Sequence, residues 1–388
     1  MSNKNHIVLL INSMGEGGAQ RVLLSLIEVY LHLGLEVTLI ALVKNDLHKL
    51  PEKLNCIYLR DNNKEHSGLY ETLLIPYYAW KLKKYVVKNE FSIVQSHLFR
   101  ANFVNILSKL FASKHSVQVV NHSVISRFLN EGLSGKINLF LINLLYPKAN
   151  KIFYISKKMQ EDFLEHSKNI NVPSKIIYNP YNLDSILAKS THKEHSFSFN
   201  ENKRYLISIG RLISLKRFED VFEVLSKLDE NIELILLGDG EEKQALITLA
   251  NRLNISSRIY FLGQVANPFW YLANSDIFVS SSSVEGFPNV LVESMICGTA
   301  VISSDCVSGP REILAPSSDH NYQLKKGLEM AEFGILYGVG DVEALQEAIE
   351  LLLTDNKLKK EYEAKAFEQS QAFSIKKIAQ IYKEAYFS

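Results

Sequence analysis

Short apolar runs recur along the chain, separated by stretches with helical spacing of apolar positions. In the first half the strand-like runs are Ile7–Ile11, Glu36–Val43, Ile57–Leu59, Ser92–Gln95, Val117–Val120 and Lys151–Ile155. Helical spacing is read over Ala19–Leu33, Leu69–Lys88, Ala101–Phe111, Lys136–Tyr146 and Lys157–Ser167. Such alternation predicts a parallel sheet covered by helices on both faces. Turn signals at Ile177–Asn182 and the polar stretch Lys189–Asn202 then interrupt the pattern.

A second series follows, with strands over Arg204–Ile209, Glu233–Leu237, Arg258–Leu262, Asp276–Ser280, Ala300–Ser303 and Gly334–Tyr337. Its helices are read over Phe218–Leu228, Glu241–Leu253, Pro268–Ala273, the residues after Pro288, Val342–Leu353 and Asn356–Ala372. The amphipathic stretch Ser374–Tyr386 is expected to fold back over the first domain. The expected organisation is a first domain at 1–182, a linker at 183–202, a second domain at 203–372 and a returning helix at 373–388. This is an α/β chain of two doubly wound halves, whose site is expected in the cleft between them, outside the carboxyl ends of the strands.

Composition narrows the class. A chain of 388 residues, 47% apolar and 22% charged, is folded and larger than one core normally serves. A net charge of +1 gives no electrostatic case for nucleic acid. Cys56, Cys297 and Cys306 have neither paired nor metal-ligand spacing, which favours a reducing, cytoplasmic location. The five-residue run Ile7–Ile11 reads as a first strand, not a signal peptide, and Ile137–Pro147 is too short to span a bilayer.

Candidate chemistry concentrates at Glu285-Gly286-Phe287-Pro288-Asn289-Val290-Leu291-Val292-Glu293. The spacing places Glu285 in a loop after a strand and Glu293 in the first turn of a helix that stops at Gly298. Helix-start amides suit phosphate oxygens, and carboxylates suit pairs of hydroxyls, so the segment fits a sugar nucleotide. Arg211 and Lys216, in the loop leaving the strand Arg204–Ile209, can neutralise a diphosphate, or can simply be solvated cations. The loop Gly15-Glu16-Gly17-Gly18 fits a phosphate cradle or a tight turn equally, and no acid follows the second strand to hold a dinucleotide ribose. No Asp-x-Asp or His-Glu-x-x-His occurs, which disfavours a metal. His97 and His122 each end a strand, where a hydrogen-bonded structural role is more common than a chemical one.

Together these motifs resemble the retaining GT-B glycosyltransferases of family 4. The resemblance rests on Gly15–Ala19, on Gly210-Arg211-Leu212 with Lys216, and on Leu236–Gly240. It rests further on Phe261-Leu262-Gly263, on Glu285–Glu293 and on Gly298–Ile302. The segment Ser308–Leu314 is similar to members that build bacterial lipopolysaccharide, capsule or lipid-linked oligosaccharides. The resemblance implies that Glu293 accepts from the donor ribose, that Glu285 lies against the donor sugar, and that Arg211 and Lys216 stabilise the leaving diphosphate. It implies that the backbone of Gly286, Phe287, Pro288, Asn289 and Val290 borders the sugar and phosphate, while Gly17, Gly18, Gly210, Gly238 and Gly263 line the donor pocket. It favours His122 over His97 as the residue near the reactive carbon.

The implied reaction moves a sugar from a UDP- or GDP-type donor, most simply UDP, to a hydroxyl of a surface glycan or polyprenyl-diphosphate-linked acceptor, without metal or other cofactor. Arg100, Arg127 and Lys136 would add positive charge on the acceptor side. The stretch Ile75–Lys88 mixes aromatics with four lysines, which fits contact with the cytoplasmic face of the inner membrane as well as it fits an ordinary helix covering the sheet. A nucleotide-sugar epimerase or hydrolase, and a non-catalytic nucleotide-sugar-binding partner, are the alternatives. A nicotinamide-dependent oxidoreductase is the weakest.

Overall fold

Strands rich in Ile, Val and Leu, buried on both faces, build a parallel sheet in each half of the chain. The computed structural model describes all residues except 1–4, 16, 46–49, 52–53, 62–67, 112, 169, 194–196 and 388. It divides into two compact units, one formed by Met1–Tyr181 with Ile375–Ser388, the other by Asn182–Ser374.

The first unit carries β1 (His6–Ile11), β2 (Glu36–Val43), β3 (Asn55–Arg60), β4 (Ile93–His97), β5 (Ser116–Asn121), β6 (Lys151–Tyr154) and β7 (Ser174–Ile176). All pair in parallel, in the order β3-β2-β1-β4-β5-β6-β7. The order reverses between β1 and β4, so the loops leaving those strands diverge and open a crevice at their carboxyl ends. The helical reading over Leu69–Lys88 is corrected to two helices, Gly68–Leu73 and Ile75–Lys88. Pro76 has no N–H to donate and sits in the first turn of the second helix. The closing helix, Ile375–Phe387, packs in this unit: the Tyr382 ring lies 5.4 Å from that of Tyr30, and Lys151 Nζ donates to the Ala385 carbonyl at 2.6 Å.

The second unit carries β8 (Arg204–Ile209), β9 (Ile232–Leu237), β10 (Ile259–Gly263), β11 (Ile277–Ser280), β12 (Ala300–Ser304), β13 (Leu328–Met330) and β14 (Ile335–Tyr337). Their order is β10-β9-β8-β11-β12-β14-β13, parallel except for β13 against β14. The reversal here falls between β8 and β11. Residues 183–202, expected as a linker, instead contribute to this unit. Asn182 caps a helix over Leu183–Ser190 by accepting from Ser185 N–H at 3.0 Å, and Leu183 and Ile186 are buried. Phe197 stands edge-on to Tyr260, with ring centroids 4.9 Å apart. Eight helical residues with two apolar anchors are too few to register as a period.

Three glycines meet at the carboxyl ends of β8, β9 and β10. Gly210 N–H donates to Leu237 O at 3.0 Å, and Gly238 N–H to Gly263 O at 2.7 Å. Gly238 has φ +128°, and a Cβ there would fall 1.9 Å from the Gly210 carbonyl oxygen. Gly263 also has positive φ, at +67°, but faces open space. We therefore expect Gly238→Ala to destabilise the protein by roughly 3 kcal/mol through a backbone clash and strain, against about 1 kcal/mol for Gly263→Ala. Urea unfolding of the two variants checks this, and equal losses would contradict it.

Candidate active site

Beyond β11 the chain reads Ser281-Ser282-Ser283-Val284-Glu285, and its hydroxyls and amides stitch it to two neighbouring loops. Ser281 Oγ donates to Lys216 O at 2.7 Å, and Ser283 N–H to Leu215 O at 2.8 Å. From the other side, Ser304 Oγ donates to Ser282 O at 2.6 Å, and Glu285 N–H to Val307 O at 2.9 Å. These bonds fix where Glu285 and Lys216 can reach. Their side chains form an ion pair at 2.5 Å, with 13% and 24% of the side-chain surface exposed. Ser282 Oγ donates to the same carboxylate oxygen at 2.6 Å. Removing one partner from so enclosed a pair leaves the other charge poorly solvated. The thiol of Cys306 is inert beside it, because burial and then the Glu285 charge push its pKa up.

Arg211 is exposed in the same loop system, and its side chain has no hydrogen bond or ion pair among the described residues. Lys216 lies at the end of a short 3-10 turn, Ser214–Lys216, and a Cβ on Gly210 would come within 3.3 Å of Lys216 Cε. The glycine triplet, Lys216 and Glu285 therefore share the carboxyl edge of β8 and its neighbours.

The helix that follows runs over Asn289–Ile296 and has as its N-cap Pro288, whose side chain makes no capping hydrogen bond. Glu293 is its fifth residue, which corrects the first-turn reading: proline occupies the cap position and helical geometry begins one residue later. Glu293 is only 6% exposed. Phe287 is also buried, with its ring 5.6 Å from that of Phe373. Gly309 lets the next loop press on this turn, since a Cβ there would meet Pro288 Cδ at 2.5 Å, and Ser308 Oγ donates to Gly286 O at 2.8 Å. Ser308–Leu314, singled out as a motif, contains a buried cluster that sequence reasoning missed: Arg311 bridges Asp305 and Glu329, at 2.7 Å to each. No spacing rule pairs residues that far apart.

In the first unit, Gly17 and Gly18 lie at the start of the helix Gly18–His32, after β1. A Cβ on Gly17 would collide with Gln20 Oε1 at 2.4 Å, so the glycine serves the local turn. His97 is the last residue of β4 and His122 follows β5, and the structure brings the two together: His97 Nδ1 is 2.9 Å from His122 Nε2. Beneath them runs a buried polar layer that was not legible in sequence. Tyr30 Oη donates to Gln95, Gln95 to Gln118, and Asn102 to both Val120 O and Tyr146 Oη. Strand glutamines and helix asparagines read as surface until the partner strands are known. Of the acceptor-side cations, Arg127 is paired with Glu131 at 2.9 Å on the surface, and Arg100 is half-buried near Tyr78. Lys136 is exposed. Among the described residues no group of three or more His, Cys, Asp or Glu is placed to hold a metal ion, and no helix is long and apolar enough to cross a membrane.

Burial holds three histidines of this unit neutral. The pKa of His97 lies well below the usual value, and those of His115 and His122 are lowered to about 4. For His115 the bonding agrees: Nδ1 accepts from Ser113 Oγ at 2.7 Å, and Nε2–H donates to Asn105 Oδ1 at 2.9 Å. Below the ordinary histidine pKa the unfolded chain takes up protons that the native state refuses, so stability falls with falling pH. For His115 the slope is at most about 1.4 kcal/mol per pH unit between roughly pH 6.5 and 4. We expect the unfolding free energy from urea titrations to drop between pH 7.5 and 5.5. A flat profile would contradict the neutral assignments.

Comparison with known proteins agrees with this architecture. Residues 16–185 match the description Glycosyltransferase Family 4, and residues 190–369 match Glycosyl transferases group 1. A relative from Campylobacter jejuni, the N-acetylgalactosamine-N,N'-diacetylbacillosaminyl-diphospho-undecaprenol 4-alpha-N-acetylgalactosaminyltransferase, is 29% identical over 96% of both chains. The lipopolysaccharide 1,6-galactosyltransferase of Escherichia coli K12 is 33% identical over 38% of this chain and 41% of its own. Among solved structures, Anabaena HepE in complex with UDP superposes with a TM-score of 0.77 at 20% identity, covering 98% of each chain, and identifies the fold as GT-B. The chain is thus a glycosyltransferase, belonging to family 4 in its first half and to the group 1 glycosyl transferases in its second.

Proposed function

We propose that this glycosyltransferase moves a sugar from a UDP-type donor, with retention of anomeric configuration, to a hydroxyl of a polyprenyl-diphosphate-linked glycan. The observation that carries the reading is the Lys216–Glu285 pair, held next to the glycine triplet and the loop leading into the helix Asn289–Ile296. Support for the acceptor class comes from the Campylobacter relative, whose name specifies a diphospho-undecaprenol substrate, and support for UDP from the Anabaena complex.

In this reading Glu293 accepts from the ribose hydroxyls and Glu285 faces the donor sugar. Arg211 and Lys216 take the negative charge that grows on the diphosphate as the glycosidic bond breaks, where preorganised charge counts most. Two cations make a metal unnecessary. Glu285 does double work: unliganded, it keeps the Lys216 ammonium in place, and with donor bound it shares that ammonium with the phosphate. The departing phosphate oxygen takes the acceptor's proton, so no side-chain nucleophile or base is required.

The helix Ile75–Lys88 supports a surface role at an anionic membrane. Tyr77 and Trp80 are 41% and 46% exposed, and Lys84 Nζ stands 3.6 Å from the Trp80 ring centroid. Lys81 instead donates to the Leu59 carbonyl at 2.6 Å, so its charge is directed inward.

Two tests follow. Donor turnover, assayed as UDP release from a panel of UDP-sugars in EDTA, should fall by roughly 10² to 10³ in Lys216→Ala and in Glu285→Gln. Wild-type turnover that disappears in EDTA, or variants as fast as wild type, would overturn the assignment. Sedimentation with anionic liposomes at low salt should retain the protein and lose it in Trp80→Ala with Lys84→Ala. Absence of binding by the wild type would remove the membrane claim.

A further inference from the structure

His97 is fully buried at the end of β4, and its two ring nitrogens are treated very differently. Nδ1 meets His122 Nε2 at 2.9 Å, while Nε2 is buried with no hydrogen-bond partner among the described residues. His122 is only partly buried, and its Nδ1 makes no hydrogen bond among the described residues. One proton must lie between the rings, and only two neutral arrangements are available. If His122 Nε2–H donates to His97 Nδ1, the remaining His97 proton sits on Nε2 as a buried donor with no acceptor. If His97 Nδ1–H donates to His122 Nε2, the orphan atom on His97 is a bare lone pair. Orphaned buried N–H groups are the rarer of the two, so the second arrangement is favoured.

We propose that His97 is a positioning residue that locks His122 in its Nδ1–H form, so that His122 meets a substrate oxygen as a hydrogen-bond donor and not as a base. The direction of the lock follows from where the proton is left over. His122 Nε2 is already occupied by the His97 proton, and Nδ1 is the one nitrogen free to face a ligand. The lock rests on geometry alone. Its catalytic meaning rests on the glycosyl-transfer reading, in which the departing diphosphate is the base and a second base would be redundant. The polar layer under β4 and β5 supplies rigidity, since Asn102 ties its helix to Val120 O at 3.2 Å, two residues before His122.

The test separates the lock from the reaction. Long-range nitrogen–proton NMR of histidine-labelled protein at pH 7.5 reads the tautomer directly. We expect His122 Nδ1 at the protonated shift and Nε2 at the unprotonated shift, with the pattern lost in His97→Phe. The opposite tautomer, or an unchanged one in that variant, overturns the proposal whatever the substrate proves to be. In donor turnover His97→Phe should lower kcat about tenfold, the equivalent of one hydrogen bond. His122→Asn, whose amide nitrogen reproduces the Nδ1 donor, should retain more activity than His122→Gln, which reproduces Nε2. Adding His97→Phe to His122→Asn should then cost nothing further. A full tenfold loss in that background would mean that His97 serves the fold and not His122.

Discussion

The contact between Lys216 and Glu285 is the constraint around which the candidate site of the second unit is arranged. It joins the loop leaving β8 to the loop leaving β11, the two strands between which the strand order reverses. The Ser281 hydroxyl and the Ser283 N–H hold the same loops together independently of charge, so the ammonium and carboxylate are presented rather than merely paired. Two small residues make room for this arrangement: Gly210 leaves space for the Lys216 stem, and Gly309 lets the β12 loop close on Pro288. A semi-enclosed pair contributes little net stability by itself. In the proposed reading, its value lies in keeping two opposite charges in register for a ligand that carries both phosphate and hydroxyl groups.

The first unit solves a different problem with neutral groups. Its sheet carries glutamine, serine and asparagine side chains inward, bonded to one another and to nearby backbone between β4, β5 and the helices above them. Low local dielectric makes such a network strong when complete and costly when broken. The histidines at its edge stay uncharged for the same reason. One half of the chain thus offers preorganised charge, the other preorganised neutral donors and acceptors.

Most of the fold was legible because the strands are buried on both faces and read as unbroken apolar runs. β2, β8 and the helix Pro268–Ala273 fall where the pattern places them, residue for residue. The pieces that were not legible share a physical cause. β7 and β13 are three residues long, and the helix Pro310–Leu314 is five, too short for any period to show. For the candidate site, sequence spacing singled out Glu285, Glu293, Arg211 and Lys216. It did not reveal that Lys216 and Glu285 touch, that Glu293 lies past the first turn, or that His97 and His122 are bonded to each other. The position of Glu293 turns on Pro288 taking the cap, while the two contacts depend on strand neighbours distant in sequence, which one chain read alone does not supply.

The central claim is that the second unit binds a nucleoside diphosphate through protein cations, with Lys216 foremost. Calorimetric titration of UDP into the full-length protein in EDTA tests it most directly. The account predicts saturable binding by the wild type and at least a tenfold weaker dissociation constant for Lys216→Ala, the loss of about 1.4 kcal/mol of a charge-assisted contact. Wild-type protein that fails to bind UDP without a divalent metal, or a Lys216→Ala variant that binds it equally well, would contradict the account.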